Sequence, residues 1–297
     1  MVTSSTKRRN GMTEYQRSAV ERAFSRLVVA HLQDYATVID VTRFVRNCGW
    51  NPQEVGDLYM QVLWNTPEIF HVGKSICFEW EHASDGTVRY AKLTDIQYAF
   101  PRRDYQENKI KLDAAVKKAA ACAMKESTPE RIALRLHDYI VHHCEYDTAA
   151  ADIRDTSPLA RTAYSVFIRK KAVCEGYTMA YRYLLKKWNI PCEEILSKEM
   201  NHCWNYVNIR GKWYHVDVTY DDPVFVSENG TPLSRSTTFA IQSRRGISRE
   251  NFLMSDSKAL ETGHHGWTTR GLPPASDRTY DHAKWNSSRR LPHEKTV

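Results

Sequence analysis

The segment Ala172-Val173-Cys174-Glu175-Gly176-Tyr177 lies where a basic loop meets the start of a helix, and it decides how we interpret the chain. The apolar residues of this helix recur on one face with the period of an α-helix: Tyr177, Tyr181, Leu184, Leu185 and Trp188. Asn189 and Pro191 are predicted to end it. A thiol in the first turn lies beside unpaired N–H groups and the positive end of the helix dipole, which favour the reactive thiolate. We therefore predict that Cys174 is a nucleophile, and that Gly176 leaves room for a substrate backbone.

Two runs rich in Trp, Tyr, Val and Ile follow and are predicted to form a β-hairpin, from Asn201 to Ile209 and from Lys212 to Tyr220. Arg210 and Gly211 are then the two central residues of the turn. Arg is unusual at the first of these positions, because a type I′ turn requires a positive φ there. A three-residue loop would shift the pairing of the strands instead.

Counting back from a two-residue turn sets Trp204 opposite Asp217. His202 then lies on the same face of the hairpin as Asp217, diagonally and about 7 to 8 Å away at the backbone. A cysteine nucleophile needs a base within about 3 Å, and the base needs a third group to fix its tautomer. The sequence therefore predicts that Cys174 attacks, that His202 takes and returns the proton, and that Asp217 orients the imidazole.

Each of these residues also has an ordinary structural interpretation. Cys174 would be a small buried residue, His202 a strand residue and Asp217 a charge in the hairpin. Their order, a cysteine at a helix start followed by a histidine and an aspartate on one hairpin face, favours a catalytic site. The alternative from another class of protein is a non-catalytic module that binds a peptide in its cleft.

Three segments of the sequence resemble the transglutaminase-like superfamily of papain-fold cysteine enzymes, and in particular its bacterial branch. The region of resemblance runs from about Arg131 to Asp256. The matching segments are Ala172-Val173-Cys174-Glu175-Gly176-Tyr177, Asn201-His202-Cys203-Trp204-Asn205 and Trp213-Tyr214-His215-Val216-Asp217-Val218-Thr219-Tyr220-Asp221-Asp222-Pro223.

The resemblance implies an α+β fold, in which the helix of Cys174 packs on an antiparallel sheet that carries His202 and Asp217. An N-terminal α/β accessory domain often precedes such a core. The resemblance also implies that the three residues form a catalytic triad for acyl transfer from a protein or peptide amide through a thioester. Peptidase, deamidase and transglutaminase activities all remain open at this point, and no metal or organic cofactor is implied.

Cys203 departs from this resemblance, because the superfamily more often has a small residue such as Ala there. Side chains alternate along a strand, so Cys203 is predicted to point away from His202 and to be separated from Cys174 by the sheet. We therefore expect a buried, unreactive thiol. The alternative is a redox switch, in which a distortion of the strand brings the two cysteines into a disulfide.

The main alternative site is a group of potential zinc ligands near the end of another helix: His137, His142, His143 and Cys144. Metal ligands on a helix prefer i, i+4 spacing, and His137 has no histidine partner at that spacing. Such a site would need further ligands, for which His264 and His265 are candidates. Tyr146 follows this group, and its hydroxyl is a candidate partner for the oxyanion or a core residue.

The predicted domain organisation has four parts: a disordered tail over 1–12, an N-terminal accessory domain over 13–126, the catalytic domain over 127–260 and a loose C-terminal tail over 261–297. The boundary between the two domains is placed at Lys125 to Thr128. Helices are predicted over Glu14 to Gln33, Pro52 to Trp64, Lys109 to Lys125, Pro129 to His143 and Leu159 to Ile168. Further strands are predicted over Phe70 to Trp80, Thr87 to Leu93, Thr237 to Gln242 and Phe252 to Ser255.

Composition limits the partners that we expect. The net charge of +7 is scattered over separate short groups and forms no single stripe, so it predicts solvated surface rather than a nucleic-acid site. No apolar run reaches the about 18 residues of a membrane span or the about 7 to 15 of a signal peptide. The 7 cysteines form no CxxC motif, which together with the missing signal predicts a reducing, cytoplasmic setting.

Overall fold

The computed structural model describes residues 13–151, 159–222, 224, 229, 246–269, 271–283 and 285. The chain divides into two compact units, residues 1–107 and residues 108–297. The sequence placed the boundary later, at Lys125 to Thr128, and this position lies inside the second unit. The reason is that helix α4, Arg102–Ala120, has its C-terminal part attached to that unit. The Trp188 indole N–H donates to the Ala120 carbonyl at 3.1 Å, for example.

The first unit combines helices with a three-stranded antiparallel sheet of order β1-β3-β2. Its helices are α1, Glu14–Gln33; α2, Thr42–Cys48; and α3, Pro52–Asn65. Its strands are β1, Ile39–Asp40; β2, Cys77–His82; and β3, Val88–Thr94. Helices α1 and α3 start where the sequence predicted, because Thr13 and Asn51 each form a capping box.

Three predictions for this unit need correction. The first strand begins at Cys77 rather than at Phe70, because Pro67–Ile69 form a 3₁₀ turn and Phe70 is buried after it. Aromatic residues of these strands are expected in the core, whereas Phe78 is 37% exposed. Helix α4 begins at Arg102, before the predicted Lys109, directly after Pro101.

The second unit is built on a five-stranded antiparallel sheet of order β10-β6-β7-β8-β9. These strands are β6, Cys192–Ser197; β7, His202–Ile209; β8, Lys212–Val216; β9, Phe252–Met254; and β10, Trp267–Thr268. A separate parallel pair joins β4, Glu145–Tyr146, to β5, Lys171–Ala172. In the described part of this unit, the helices after α4 are α5, Pro129–His143; α6, Cys174–Lys187; and α7, Asp256–Glu261.

Helix α6 packs on the central strand β7, as the sequence predicted for the helix of Cys174. The Asn205 side-chain amide donates to the Thr178 carbonyl at 3.0 Å and so fixes the helix to the strand. Tyr177, Tyr181, Leu184 and Leu185 are all buried along the helix. The fold is therefore the expected α+β papain-like core.

The hairpin of β7 and β8 has the predicted register, with Ile209 opposite Lys212. Arg210 and Gly211 have φ values of 53° and 85°, so both adopt the left-handed conformation of a type I′ turn. Gly211 also donates its N–H to the Asn208 side-chain oxygen at 2.9 Å. The unusual arginine therefore does not lengthen the turn.

Other parts of the second unit differ from the sequence-based expectation. The short helix over Leu159 to Ile168 is a 3₁₀ turn, Leu159–Arg161, followed by a π-helical turn, Ser165–Arg169. Strand β9 closes the sheet as predicted, whereas β6 and β10 were not predicted. The predicted strand Thr237 to Gln242 and the N-terminal tail lie outside the described residues.

Described residues of the predicted loose C-terminal tail pair with the sheet and pack against it. Its residues Trp267 and Thr268 pair with β6, and Ala275 is fully buried. The Tyr206 hydroxyl donates to the Pro273 carbonyl at 2.8 Å. Among the described helices, none combines the length and the apolar character that crossing a membrane requires.

Candidate active site

Cys174 is the first residue of α6, as predicted, and only 9% of it is exposed. Val173 is the N-cap, and its backbone carbonyl accepts the Tyr177 N–H at 3.2 Å. Gly176 has a different role from the one that we expected. A Cβ atom there would lie 2.7 Å from the Ala172 side chain and 2.9 Å from the Ala160 carbonyl. The glycine therefore allows close packing within the protein, not the approach of a substrate.

His202 and Asp217 meet across the hairpin. The Nε2 atom of His202 lies 2.6 Å from Oδ2 of Asp217, and both side chains are buried. His202 is the first residue of β7, and Asp217 follows the last residue of β8, so the pair lies at one end of the hairpin. Because Nε2 of His202 is hydrogen-bonded to the Asp217 carboxylate, Nδ1 is the ring nitrogen that can exchange a proton with Cys174. The Cys174 thiol interacts with His202 through a side-chain hydrogen bond, so the structure brings the three predicted residues together.

Charges at the site favour a thiolate beside an imidazolium. The Cys203 thiol lowers the pKa of Cys174 most, burial opposes it, and His202 lowers it further, to about 5. Burial alone would lower the pKa of His202, but the Asp217 carboxylate and Cys174 outweigh burial and raise it to about 10. At neutral pH these pKa values favour an ion pair between the Cys174 thiolate, which is the nucleophilic form, and the His202 imidazolium.

The Asp217 carboxylate is fully buried, and both of its oxygens accept hydrogen bonds. Oδ1 accepts the backbone N–H groups of Thr219 at 2.9 Å and of Tyr220 at 3.1 Å. Oδ2 accepts from His202 and also from Nε2 of His264 at 3.0 Å. Burial would raise the pKa of Asp217, but His202 and His264 hold it well below its usual value.

His264 is the residue of this site that the sequence analysis did not assign to it. We considered it only as a zinc ligand beside His265 and the group around His137. The structure separates these residues: His137 lies between the carboxylates of Asp138 and Asp221, at 3.2 Å and 3.1 Å. His265 is exposed and lies 3.2 Å from a Glu199 oxygen. The alternative zinc grouping is therefore not formed by the residues that the structure describes.

His202, Asp217 and His264 offer ligand atoms within 4.8 Å of one another, which is also compatible with a bound metal ion. The carboxylate, however, joins both imidazoles by hydrogen bonds at 2.6 Å and 3.0 Å. These bonds account for the grouping without an ion. We therefore interpret it as a hydrogen-bond network.

The prediction that the sheet separates Cys203 from Cys174 is wrong. Cys203 does point to the face opposite His202, but this is the face that α6 covers. The Thr178 hydroxyl oxygen in α6 lies 2.9 Å from the Cys174 carbonyl oxygen, 3.1 Å from that of Cys203 and 3.7 Å from the Cys203 sulfur. His202 also reaches Cys174, because His202 lies at the very end of β7.

Aromatic rings enclose the imidazole of His202. The Tyr220 ring stacks on it with centroids 4.7 Å apart, and the Trp204 ring lies 5.6 Å away on a tilt of 24°. Tyr146 and Tyr220 line an open cleft together with His202. Burial and the proximity of Cys174 raise the pKa of Tyr146 to about 12, so its hydroxyl keeps its proton and can donate it. Its role toward an oxyanion stays a prediction.

The fold and the site define the class of protein: a papain-like α+β core with a cysteine, a histidine and an aspartate grouped at one cleft. The model of the transglutaminase-like superfamily matches residues 117–218, and this part of the chain belongs to that superfamily. Members of this superfamily are typically cysteine-dependent.

Among known proteins, the chain is similar to kyphoscoliosis peptidase. It is 28% identical to the Homo sapiens protein over 96 residues, which are 28% of this chain and 14% of that protein. The Mus musculus protein is 27% identical over 96 residues, with the same shares covered, 28% and 14%. The match thus spans about one seventh of the length of these relatives. A crystal structure of a TGase is 18% identical with a TM-score of 0.35, over 59% of this chain and 49% of that one.

Proposed function

We propose that this chain transfers the acyl group of a protein or peptide amide through a thioester on Cys174. The observation that carries the proposal is the contact of 2.6 Å between His202 and Asp217 at the start of α6, where Cys174 lies. If Cys174, His202 and Asp217 each had only a separate structural role, they would not need to lie together. A module that only binds peptides would not need a thiolate beside an imidazolium either.

In the proposed reaction, the Cys174 sulfur attacks the carbonyl carbon of the amide, and a tetrahedral intermediate forms. N–H groups in the first turn of α6 stabilise its oxyanion. Nδ1 of His202 then gives its proton to the nitrogen of the leaving amine, the C–N bond breaks, and a thioester remains. Asp217 keeps the imidazole oriented throughout.

The second half of the reaction releases the acyl group. Water or a primary amine attacks the thioester carbon, His202 takes the proton of the attacking group, and the C–S bond breaks. Attack by water corresponds to a peptidase or deamidase, and attack by a lysine amine corresponds to a crosslinking enzyme. The acceptor depends on how the cleft excludes water.

Alkylation with iodoacetamide at different pH values tests the nucleophile. We expect Cys174 to react with a midpoint near pH 5, because its pKa is about 5. Cys122, Cys144 and Cys192 are expected to stay unmodified at pH 6, because burial raises the pKa of each to about 12. Peptide mass spectrometry measures the labelling of each cysteine, and the exposed Cys77 serves as the reference thiol. Labelling of Cys174 no faster than of Cys77 would favour the binding module.

The acyl acceptor is tested with dimethylated casein, with and without a fluorescent primary amine. Incorporated amine indicates a transferase, ammonia released in the absence of the amine indicates a deamidase, and shortened chains indicate a peptidase. Each product should disappear in Cys174→Ala and persist in Cys77→Ala. A product that Cys174→Ala still forms would rule out the proposed nucleophile.

A further inference from the structure

His264 approaches the Asp217 carboxylate from a different side than His202 does. Its Nε2 atom lies 3.0 Å from Asp217 Oδ2, the same oxygen that His202 contacts at 2.6 Å. An ionised carboxylate can only accept hydrogen bonds, so Nε2 of His264 must carry the proton. With the two backbone donors on Oδ1, the four acceptor positions of this carboxylate are all used.

The other ring nitrogen of His264 is also fixed. Its Nδ1 atom lies 3.1 Å from the Thr262 hydroxyl oxygen, just after helix α7. The His264 backbone N–H donates to the Ala259 carbonyl at 2.9 Å, which ties the residue to the same helix. Gly263, with φ at 92°, allows the chain to reverse between them. The direction of the ring is therefore set by local backbone structure.

Neighbouring aromatic side chains restrict the movement of the buried His264 ring. The residue has 0% exposure, and the ring centroids of Trp204 and Tyr220 each lie 4.9 Å from its own. These two aromatic residues also enclose His202. A displacement of His264 would thus disturb the walls around the imidazole of His202.

The geometry points to His264 as a positioning residue that holds the Asp217 carboxylate against His202, and this inference rests on the proposed function. Without this donor, Oδ2 keeps only its hydrogen bond to His202 and is held less firmly, so the imidazolium beside Cys174 loses part of its support. We then expect the alkylation midpoint of Cys174 to move to higher pH. Acyl transfer should fall by about tenfold to a hundredfold, as expected for the loss of one hydrogen bond to a buried charge.

The test compares His264→Phe, which keeps a ring without a donor, with His264→Gln, whose amide can still donate to Asp217. We expect the phenylalanine variant to show the shifted alkylation profile and the glutamine variant to stay close to the native one. His265→Ala is the matched control, because His265 is the exposed neighbour. If all three variants keep the native profile, the inference is wrong.

Two further measurements keep this test decisive. Thr262→Val removes the hydroxyl that contacts Nδ1 and also the Ala259 carbonyl, and it should shift the profile in the same direction by less, even if His264→Phe does not fold. The downfield proton resonance of the His202 to Asp217 hydrogen bond should weaken in His264→Phe and persist in His264→Gln. This resonance does not depend on reactivity, so it separates a failure of this inference from a failure of the proposed nucleophile. An unchanged resonance in His264→Phe would overturn the positioning role.

Discussion

His202 Nε2 lies 2.6 Å from Asp217 Oδ2, and a two-residue turn in the hairpin between them sets this contact. One extra residue in the turn would move the side chains of one strand to the other face. Arg210 and Gly211 both have a positive φ, which matches the right-handed twist of the strands. The local backbone of the turn therefore fixes a distance at the active site.

Substitution of Gly211 in this turn should reduce stability slightly, through backbone conformation alone. A Cβ atom at Gly211 would meet nothing within 4 Å, so Gly211→Ala should act through its φ of 85° alone. We expect a loss of about 1 kcal/mol in the free energy of unfolding, measured with urea. Gly211→Asn should lose less, because Asn tolerates the left-handed region. Equal losses in both variants would contradict this explanation.

Asp217→Asn should leave the protein folded and slow acyl transfer by about a thousandfold or more. The amide cannot stabilise an imidazolium, and it favours the wrong tautomer of His202. Circular dichroism checks the fold, and the casein assay measures the rate. Asp277→Asn is a suitable control, because that carboxylate accepts a hydrogen bond from the Tyr214 hydroxyl at 2.7 Å rather than from a histidine. Near-native activity in Asp217→Asn would mean that Asp217 serves only the hairpin.

Cys203→Ala should raise the pKa of Cys174, because the Cys203 thiol makes the largest contribution to lowering it. The alkylation midpoint should move upward from about 5 by about one unit. Cys203→Ser should shift the midpoint less, since a hydroxyl can still donate to the thiolate. An unchanged midpoint in Cys203→Ala would show that the Cys203 thiol does not stabilise the Cys174 thiolate. Disulfide mapping after mild oxidation tests the alternative of a bridge to Cys174.

The titration of His137 should make the stability of the protein depend on pH. Burial would lower its pKa, but Asp138 and Asp221 outweigh burial and raise it to about 9. This folded value lies above the unfolded value of about 6.5, so the stabilisation is complete below pH 6.5 and is lost as the pH rises through 9. The difference in unfolding free energy between the native protein and His137→Gln should shrink by about 3 kcal/mol over this window. A constant difference from pH 6 to 10 would show that His137 does not carry this charge.

The sequence was sufficient for the parts of the site that local structure determines. Cys174 follows from a helix start, and the pairing of His202 with Asp217 follows from counting residues along a hairpin. His264 lies 47 residues beyond Asp217, and no local pattern links the two. Alternation along β7 predicted that Cys203 faces away from His202, but it cannot tell which face of a sheet a helix covers. Contacts between distant segments decide both of these features.

Among the described strands, the two at the borders of the large sheet lie late in the sequence. The central strands β6, β7 and β8 precede β9 and β10 along the chain, and β9 and β10 are only 3 and 2 residues long. Until these arrive, β6 and β8 expose unpaired backbone groups that can add a strand from another molecule. A nascent or truncated chain that stops before Trp267 is therefore expected to aggregate through its open sheet edge, even though Cys174, His202 and Asp217 are already present.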